Sequence, residues 1–406
     1  MTPDIPGTLL LDPGVIEDPY PFYRQLQMHA PVWRVPDREV FTVSSFALLA
    51  DAVARVDDFS SNMRALLYRD EEGLPGRLSF GDAGVDVLAT ADPPDHKMHR
   101  DVVFSELVAN RMAALEPEIA EVANHCLGRA LKGEDFDFMA EVGNIVPITF
   151  ISRLIGFPDG NLDTLLRAAF DSTSMLGATS TLSELNALVA QIGEIEAWIA
   201  NHVAAVIGQP DDNILGAAAR GIDAGVFTVH QACVVLHTLL SAGGESTTSL
   251  LGNAVRLLAE NRDLQDRLRG QPDLVPAFIE EALRLESPFR FLMRFVPETT
   301  LLGGTEIPSG ATVLLLWGAA NRDPAEFEDP NRVDLDRRVL RRHVAFGRGM
   351  HYCVGATLAR LEARVVLGIL LDRTSSITLD PGNAPRRVES LMVRRHEQLP
   401  VRVTPR

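Results

Sequence analysis

A short glycine-rich loop that carries a lone cysteine constrains this chain more than any other stretch. It reads Phe-Gly-Arg-Gly-Met-His-Tyr-Cys-Val-Gly over residues 346–355. Gly347, Gly349 and Gly355 allow a positive φ or a close approach to a flat partner, which residues with a Cβ do poorly. A bulky planar ligand can therefore lie against this loop, beside Cys353.

The residues that follow the cysteine predict a helix, because apolar side chains recur with the helical period at positions 358, 361, 365, 366, 369 and 370. Cys353 then precedes a helix N-terminus, where free N–H groups and the helix dipole favour a thiolate. Cys126 and Cys233 are distant in sequence, so neither a disulfide nor a four-ligand zinc site is indicated. A buried structural cysteine is the simpler alternative. An axial thiolate on haem iron needs one sulfur and a flat, glycine-lined bed.

Length and composition limit the architecture and the partners. A chain of 406 residues with 46% hydrophobic residues can bury a large core. No linker or repeat divides it, so we predict one domain over residues 1–406. No secretory leader or membrane span is indicated, and three cysteines suit a reducing compartment, so we expect a cytoplasmic protein. The net charge of −17 argues against nucleic acid and anionic membranes as general partners.

A second constraint is a long predicted helix from Thr228, a plausible N-cap, to about Asn261. At 1.5 Å per residue it would span on the order of 50 Å and cross the molecule. Its middle contains Gly243 and Gly244, which each cost about 1 kcal/mol relative to alanine inside a helix, followed by Glu245 between apolar turns. Such a local inconsistency indicates a functional site. A kink without chemistry is the alternative.

Two further motifs pair charged residues at helical spacing. His96 and Arg100 share one face of a helix that begins after two prolines, and a solvated basic face is the alternative to a binding role. Glu281 and Arg284 lie three residues apart, which would ordinarily be a weak surface pair.

Together these motifs resemble the haem-thiolate monooxygenases, the cytochromes P450, in their soluble bacterial form, over nearly the whole chain. The resemblance implies a mainly α-helical, triangular fold with a small β lobe, and haem b as the cofactor. It implies that Cys353 is the axial ligand of the iron. Residues that would contact the haem are His96, Arg100, Gly243, Arg294, Phe346, Gly347, His351 and Gly355.

The resemblance also places oxygen activation on the central helix, with Glu245 as the acid and Ser246 as the alcohol. The family most often has threonine at the second position, and serine lacks the methyl group that restricts its rotamer. Thr247 is an alternative carrier of the hydroxyl role. By the same resemblance, Glu281 and Arg284 form a buried structural pair that a later Arg or His completes.

Candidate substrate contacts come from two segments. Residues 288–294 are predicted to be extended, which puts Arg290 on the same face as Arg294. We predict that Arg290 anchors an acidic group at the cavity edge, with a further propionate contact or a surface ion pair as alternatives. Leu292, Met392 and Val393 are also predicted to border the substrate. The stretch from 61 to 90 is predicted to be irregular.

The function implied by the resemblance is insertion of one oxygen atom from O2 into a small, largely apolar organic substrate. A hydrogen-peroxide-driven peroxygenase would not need the acid–alcohol pair. A non-catalytic haem protein that senses a small ligand would not need Glu245. The Glu245–Ser246 pair therefore favours the monooxygenase over both alternatives.

The electron donor is predicted to be a separate ferredoxin or flavodoxin that meets a monomeric protein on the cysteine-loop face. Basic residues precede Cys353 in a chain that is otherwise acidic, and could steer such a donor. A solvated loop with no partner is the alternative. The basic residues are Arg337, Arg338, Arg341, Arg342, His343 and Arg348.

Overall fold

The computed structural model of the chain describes residues 5–107, 109–133, 136–158 and 162–406. Residues 1–4, which belong to the predicted leaderless N-terminus, lie outside this description. The first α-helices are α1 (Pro13–Glu17), α2 (Tyr20–His29), α3 (Phe46–Ala54), α4 (Asp95–Phe104), α5 (Ala109–Ala114), α6 (Glu116–Cys126), α7 (Ile145–Ile155) and α8 (Leu162–Met175). The later ones are α9 (Leu182–Val206), α10 (Ile214–Asp223), α11 (Val229–Ala259), α12 (Arg262–Gly270), α13 (Val275–Leu285), α14 (Trp317–Ala320) and α15 (Ala356–Arg373).

The strands are short. The first seven are β1 (Val32–Arg34), β2 (Val40–Val43), β3 (Ala65–Arg69), β4 (Pro75–Ser79), β5 (Phe136–Asp137), β6 (Leu292–Phe295) and β7 (Thr300–Leu302). The others are β8 (Thr305–Ile307), β9 (Thr312–Leu315), β10 (Thr374–Leu379), β11 (Arg386–Arg387), β12 (His396–Gln398) and β13 (Pro400–Pro405). Helices therefore dominate, as the sequence predicts.

Helix α11 is the central element of the fold. Thr228 caps it, because its side chain accepts a hydrogen bond from the Gln231 N–H while the Gln231 side chain accepts one from the Thr228 N–H. The helix has 31 residues, so it is about 46 Å long. Helices α7, α8, α9 and α15 pack along it. The predicted boundaries of 228 and about 261 are confirmed to within two residues.

A four-stranded mixed sheet of order β1-β2-β9-β6 forms most of the β lobe. The predicted β1–β2 hairpin is confirmed, and β9 runs parallel to β2 and antiparallel to β6. In this register Arg294 of β6 lies opposite Val313 of β9. A second sheet of order β10-β13-β5 lies near the C-terminus.

The prediction of an irregular stretch from 61 to 90 is wrong for part of that range, because β3 and β4 form a regular antiparallel hairpin there. The ring of Tyr68 covers Gly76 directly across the ladder, where an added Cβ would lie 2.4 Å from the ring. The aromatic ring thus fills the space beside the glycine. Gly76, which lies in the range predicted to be irregular, therefore serves a cross-strand contact.

The core divides into clusters on different sides of α11. One cluster joins α11 to α6, α13 and α15, and another joins it to α7, α8, α9 and α10. In the described part of the chain, no helix combines the length and the apolar character needed to cross a bilayer.

Candidate functional site

The cysteine loop adopts the tight backbone that its glycines predict. Gly347 and Gly349 both have φ of +70°, a conformation that residues with a Cβ rarely adopt. The Cys353 N–H donates to the Phe346 carbonyl oxygen over 2.9 Å, which closes the loop. Helix α15 begins three residues after the cysteine, as predicted. Gly355 has an ordinary φ of −86°, so a left-handed backbone does not explain its position.

The protein around Cys353 does not by itself favour the thiolate. Burial raises the pKa of the Cys353 thiol and outweighs the backbone N–H groups of Gly355 and Ala356 and the positive charges of Arg100 and Arg360, which oppose that rise. As the sequence predicts, those N–H groups favour the thiolate, but burial of the sulfur has the larger effect. A thiolate at this position needs a bound cation, since a metal ion deprotonates a thiol that coordinates it.

Four cationic or imidazole side chains converge beside the loop. The His96 and His351 rings lie 4.2 Å apart between centroids, and Arg100 Nη1 donates to the Tyr352 carbonyl oxygen over 2.9 Å. Ser61 Oγ is 2.9 Å from His351 Nε2. Helix α4 supplies two of these residues, the loop one, and β6 supplies Arg294. Sequence spacing had placed His96 and Arg100 together, and the fold brings the other two to them.

Arg100 and Arg294 give this group of side chains its positive charge. His351 Nδ1 is buried, and no group among the described residues bonds to it. Burial and the nearby His96, Arg294 and Arg100 lower the pKa of His351 to about 3, and burial lowers the pKa of Arg294 to about 10. Within the described ranges no carboxylate lies within ion-pair distance of Arg294. Buried cations are normally paired, so this set fits the carboxylates of a bound group.

One row of α11 is left partly exposed in the middle of the protein. Val234, Thr238, Ala242 and Ser246 follow each other at four-residue intervals and are partly exposed, while most residues between them are buried. Partly exposed residues in the middle of a long and otherwise buried helix indicate that this row borders an internal space. The loop, the basic side chains and this row together fit a flat, dianionic, iron-bearing group such as haem.

The glycines of α11 have a packing role that the sequence did not suggest. A Cβ on Gly243 would lie 2.8 Å from the Ile151 side chain, and one on Gly244 would lie 3.2 Å from Ile148. Both isoleucines belong to α7. The glycines therefore allow α7 to approach α11 closely, and the role of Gly243 beside the haem stays a prediction.

Glu245 is 1% exposed, and both of its carboxylate oxygens are bound. Arg395 Nε donates to Oε1 over 2.7 Å, and Thr173 Oγ1 donates to Oε2 over 3.2 Å. Burial raises the pKa of Glu245, while Arg395 and Thr173 oppose the rise. The Arg395 guanidinium lies 3.8 Å from the centroid of the Phe170 ring. Sequence reasoning missed this pairing, and the spacing of 150 residues offers no local signal for it.

The two candidate alcohols lie in different environments. Ser246 is on the partly exposed row of α11, and its Oγ donates to the Ala242 carbonyl oxygen over 2.6 Å. Thr247 is 4% exposed and lies on a buried face. The hydroxyl of Ser246 is therefore next to the internal space, and that of Thr247 is not.

The Glu281–Arg284 pair is buried, as the resemblance implies. Arg284 Nε and Nη2 donate to the two Glu281 oxygens over 2.7 and 2.9 Å, and both side chains are fully buried. The later arginine is Arg337, whose Nε donates to Glu281 over 3.1 Å and whose side chain is 9% exposed. The neighbouring Glu280 accepts a hydrogen bond over 2.9 Å from His343, whose side chain is 1% exposed.

The predicted basic surface before Cys353 is consequently smaller than expected. Besides Arg337 and His343, which are buried in this network, Arg342 forms an ion pair with Glu326. Arg338, Arg341 and Arg348 are the exposed remainder of the predicted set. The sequence could not distinguish the buried from the exposed members of this set, because the two buried members, Arg337 and His343, bind carboxylates of α13.

The predicted substrate contacts are one buried arginine that binds backbone carbonyl groups and three apolar residues that lie near one another. Arg290 is 2% exposed, and its Nη1 donates to the Ile16 carbonyl oxygen over 2.7 Å while Nη2 donates to that of Ser390. It precedes β6 and serves to join distant segments, so its predicted role as a carboxylate anchor is corrected. Met392 and Val393 are 5% and 3% exposed and pack near Leu292, which is partly exposed.

Comparisons with known proteins agree with this geometry. The family model described as Cytochrome P450 matches residues 217–400. Cytochrome P450 144 of Mycobacterium tuberculosis is 38% identical over 390 residues, which cover 96% of this chain and 89% of that protein. Cytochrome P450 107B1 of Saccharopolyspora erythraea is 33% identical over 415 residues and 99% of both chains.

Solved structures show the same fold. CYP109E1 from Bacillus megaterium in complex with testosterone matches with a TM-score of 0.86 and 27% identity over 96% of this chain and 99% of that one. A mutant of P450 EryK in complex with erythromycin B matches with a TM-score of 0.84 and 26% identity over 98% of each chain. The chain therefore belongs to the cytochrome P450 family, and is a haem-thiolate monooxygenase whose cofactor is haem b.

Proposed function

We propose that Cys353 supplies the axial thiolate and that His96, Arg100, Arg294 and His351 hold the haem propionates. The buried Arg294, which has no ion-pair partner among the described residues, and the unbonded Nδ1 of His351 support this assignment most directly. Phe346, Gly347 and Gly355 complete the loop wall. The bound haem supplies O2 binding and, with its thiolate, O–O bond cleavage.

The protein's own part in oxygen activation is the supply and control of protons. We assign the alcohol role to Ser246, since its Oγ borders the internal space and that of Thr247 does not. The carboxyl group of Glu245, one residue from Ser246 in the chain, transfers the protons. It lies in a buried site, where the hydrogen bond from Arg395 fixes its orientation. A positioned acid of this kind contributes to rate by general acid–base catalysis.

Glu245→Gln and Ser246→Ala are each expected to reduce product formation by about 10²-fold, because both lose proton transfer. The dissociation constant of the substrate should change little, since neither group is needed for ground-state contact. Single-turnover product analysis and spectroscopic substrate titration give the two quantities. Ser246→Thr is the matched control and should retain turnover. Full coupled turnover in both variants would contradict the assigned roles.

The substrate we propose is a largely apolar organic molecule. Apolar residues such as Val234 and Ala242 lie on the partly exposed row of α11, and the buried Arg395 is already paired with Glu245. Bacillus megaterium CYP109E1 is solved with testosterone and a mutant of P450 EryK with erythromycin B, and these organic ligands support the same broad class here. Screening steroids and macrolides for a shift of the haem Soret band, against short-chain acids as a comparison set, tests this class.

We further propose that a small acidic ferredoxin or flavodoxin supplies the electrons and meets the face formed by Arg338, Arg341 and Arg348. Met350 and Tyr352 are 37% and 42% exposed within this segment, which gives the face an apolar centre beside its positive charge. Positive charge at such a site steers an acidic partner.

Reduction by a ferredoxin is expected to slow steeply when salt rises from about 0.05 to about 0.5 M, which shortens the Debye length from roughly 14 to roughly 4 Å. Arg338→Glu with Arg341→Glu should slow it by about tenfold or more at low salt. Arg386→Glu with Arg402→Glu makes the same charge change elsewhere and should have little effect. Stopped-flow reduction gives the rates, and dithionite reduction should be equal in all variants. A wild-type salt dependence in the first double variant would place docking elsewhere.

A further inference from the structure

The face of α11 that packs against α8 is polar along three turns. His237, Ser241 and Glu245 occupy successive positions of one i, i+4 row and are 6%, 6% and 1% exposed. His237 meets Ser172 and Glu245 meets Thr173, which are consecutive residues of α8. Each step of the row rises about 6 Å, the span of two hydrogen bonds of about 2.8 Å. Such a row in a helix interface is costly unless its groups are hydrogen-bonded.

The outer end of this row reaches solvent. His237 Nδ1 lies 3.8 Å from an oxygen of Glu196, a residue of α9 whose side chain is 30% exposed. His237 Nε2 lies 2.6 Å from Ser172 Oγ, and Ser172 Oγ also lies 3.0 Å from the Ala168 carbonyl oxygen, to which it donates. The Ser172 hydrogen can be directed at Ala168 while Nε2–H donates to Ser172 Oγ, or at Nε2 while Nδ1–H points at Glu196, so the imidazole has partners in either neutral tautomer.

The inner end of the row is Glu245, the acid that we assign to proton transfer. Ser241 Oγ lies between His237 and Glu245, is buried, and bonds to no group among the described residues. An unpaired buried hydroxyl is costly, and a bound water with two or more polar neighbours removes this cost. Thr173 Oγ1 completes the approach to Glu245, whose other oxygen is held by Arg395.

We propose that Glu196, His237, Ser172, Ser241 and Thr173 form a proton-supply route from solvent to Glu245. The proposal rests on the proton-transferring role of Glu245 given above. Inserting one atom of O2 into a substrate and reducing the other to water consumes two electrons and two protons per turnover. Glu245 must regain a proton after each one that it gives up, and the row contains polar groups that can carry protons to it.

The imidazole is the active member of this route. From the tautomer with the proton on Nε2, the ring accepts a proton on Nδ1 from the Glu196 side and passes the Nε2 proton to Ser172 Oγ. The serine in turn gives up its own hydrogen along the row, so one proton enters and one leaves. Rotation of the ring restores the starting tautomer. Histidine is suited to this exchange because each of its two ring nitrogens can carry a proton. The charged groups that face the row are Glu196 at the outer end and Arg395 at the inner end.

The experiment measures how fast the Glu245 carboxyl group exchanges its proton for deuterium in the ferric holoenzyme. Time-resolved infrared spectroscopy after mixing with D2O follows the C=O band, which is assigned by its loss in Glu245→Gln. Burial raises the pKa of Glu245, and the buffer pH is set where the C=O band of the protonated form is observed. His237→Gln keeps a hydrogen-bonding side chain but cannot relay a proton, and Ser241→Ala removes the unpaired hydroxyl.

We expect both variants to slow this exchange by about tenfold or more, and His237→Gln to lower the product formed per O2 consumed by a similar factor. His230→Gln, an exposed histidine of the same helix, is the matched control and should match the wild type. Exchange at the wild-type rate in both variants overturns the route. Loss of product in Glu245→Gln with normal turnover in His237→Gln also overturns the route but leaves the role of Glu245 intact. Normal turnover in Glu245→Gln overturns that role instead.

Discussion

Cys353→Ala is expected to abolish the thiolate-type absorption spectrum and all oxygen insertion that depends on electron transfer. The loop delivers one sulfur to the haem site, and the reduced, CO-bound protein should show the red-shifted Soret band of thiolate ligation in the wild type. Without the sulfur, no electron density is available from that ligand for O–O cleavage. The spectrum of the reduced CO complex measures the change directly.

Matched controls are present in the chain itself. Cys233 is buried and Cys126 is half-buried, and both are free thiols. Cys233→Ala and Cys126→Ser should retain the red-shifted band and bind haem at the wild-type level. A wild-type spectrum in Cys353→Ala, or loss of the band in Cys233→Ala, would assign the ligand to another residue. A histidine-type Soret band in the well-folded wild type would contradict the thiolate itself.

Glu281→Gln is expected to destabilise the protein by about 3–5 kcal/mol, the range found when one partner of a buried ion pair is removed. Glu281 accepts hydrogen bonds from Arg284, Arg337 and the Asp334 N–H. A glutamine fills the same volume but leaves two guanidinium groups without a counter-charge. Urea-induced unfolding, followed by circular dichroism, gives the free energy of unfolding.

Glu298→Gln is the control, since Glu298 is exposed and forms no ion pair within the described ranges. It should change the free energy of unfolding by less than about 0.5 kcal/mol. An equal, small effect of both substitutions would show that the buried pair contributes little.

The neighbouring Glu280 adds a pH dependence with a defined sign. Burial alone would raise the pKa of Glu280, but hydrogen bonds from His343 and Arg360 outweigh it and lower the pKa to about 2. A carboxyl group with a lowered folded-state pKa stabilises the fold above its unfolded pKa of about 4.5 and loses that effect as pH falls towards 2. The acid limb of the wild-type stability profile should therefore be steeper than that of Glu280→Gln.

The spacing of residues along the chain was enough to predict the features that depend on near neighbours in sequence. The positive φ of Gly347 and Gly349, the Thr228 cap and the β1–β2 hairpin follow from residues within a few positions of each other. The burial of the Glu281–Arg284 pair came from the family resemblance, because an i, i+3 pair by itself predicts a surface contact.

Long-range charge pairing was decided by the tertiary structure. The sequence put Arg290 at the cavity and Arg337 on the surface, yet the first binds backbone carbonyls and the second binds Glu281. Arg395 reaches Glu245 from 150 residues away. Arginine side chains are long, so their positions in the chain do not determine which carboxylate they meet.

The sequence by itself therefore determined the family, the position of the cysteine loop, and the length and capping of the central helix. Those properties depend on spacing along the chain and on turns of a few residues. The tertiary structure alone decided the direction of the Cys353 pKa, the partial exposure of Ser246 against the burial of Thr247, and the polar row from His237 to Glu245. Burial and partners at distant positions control those properties, because the strength of an electrostatic interaction depends on what surrounds it in space.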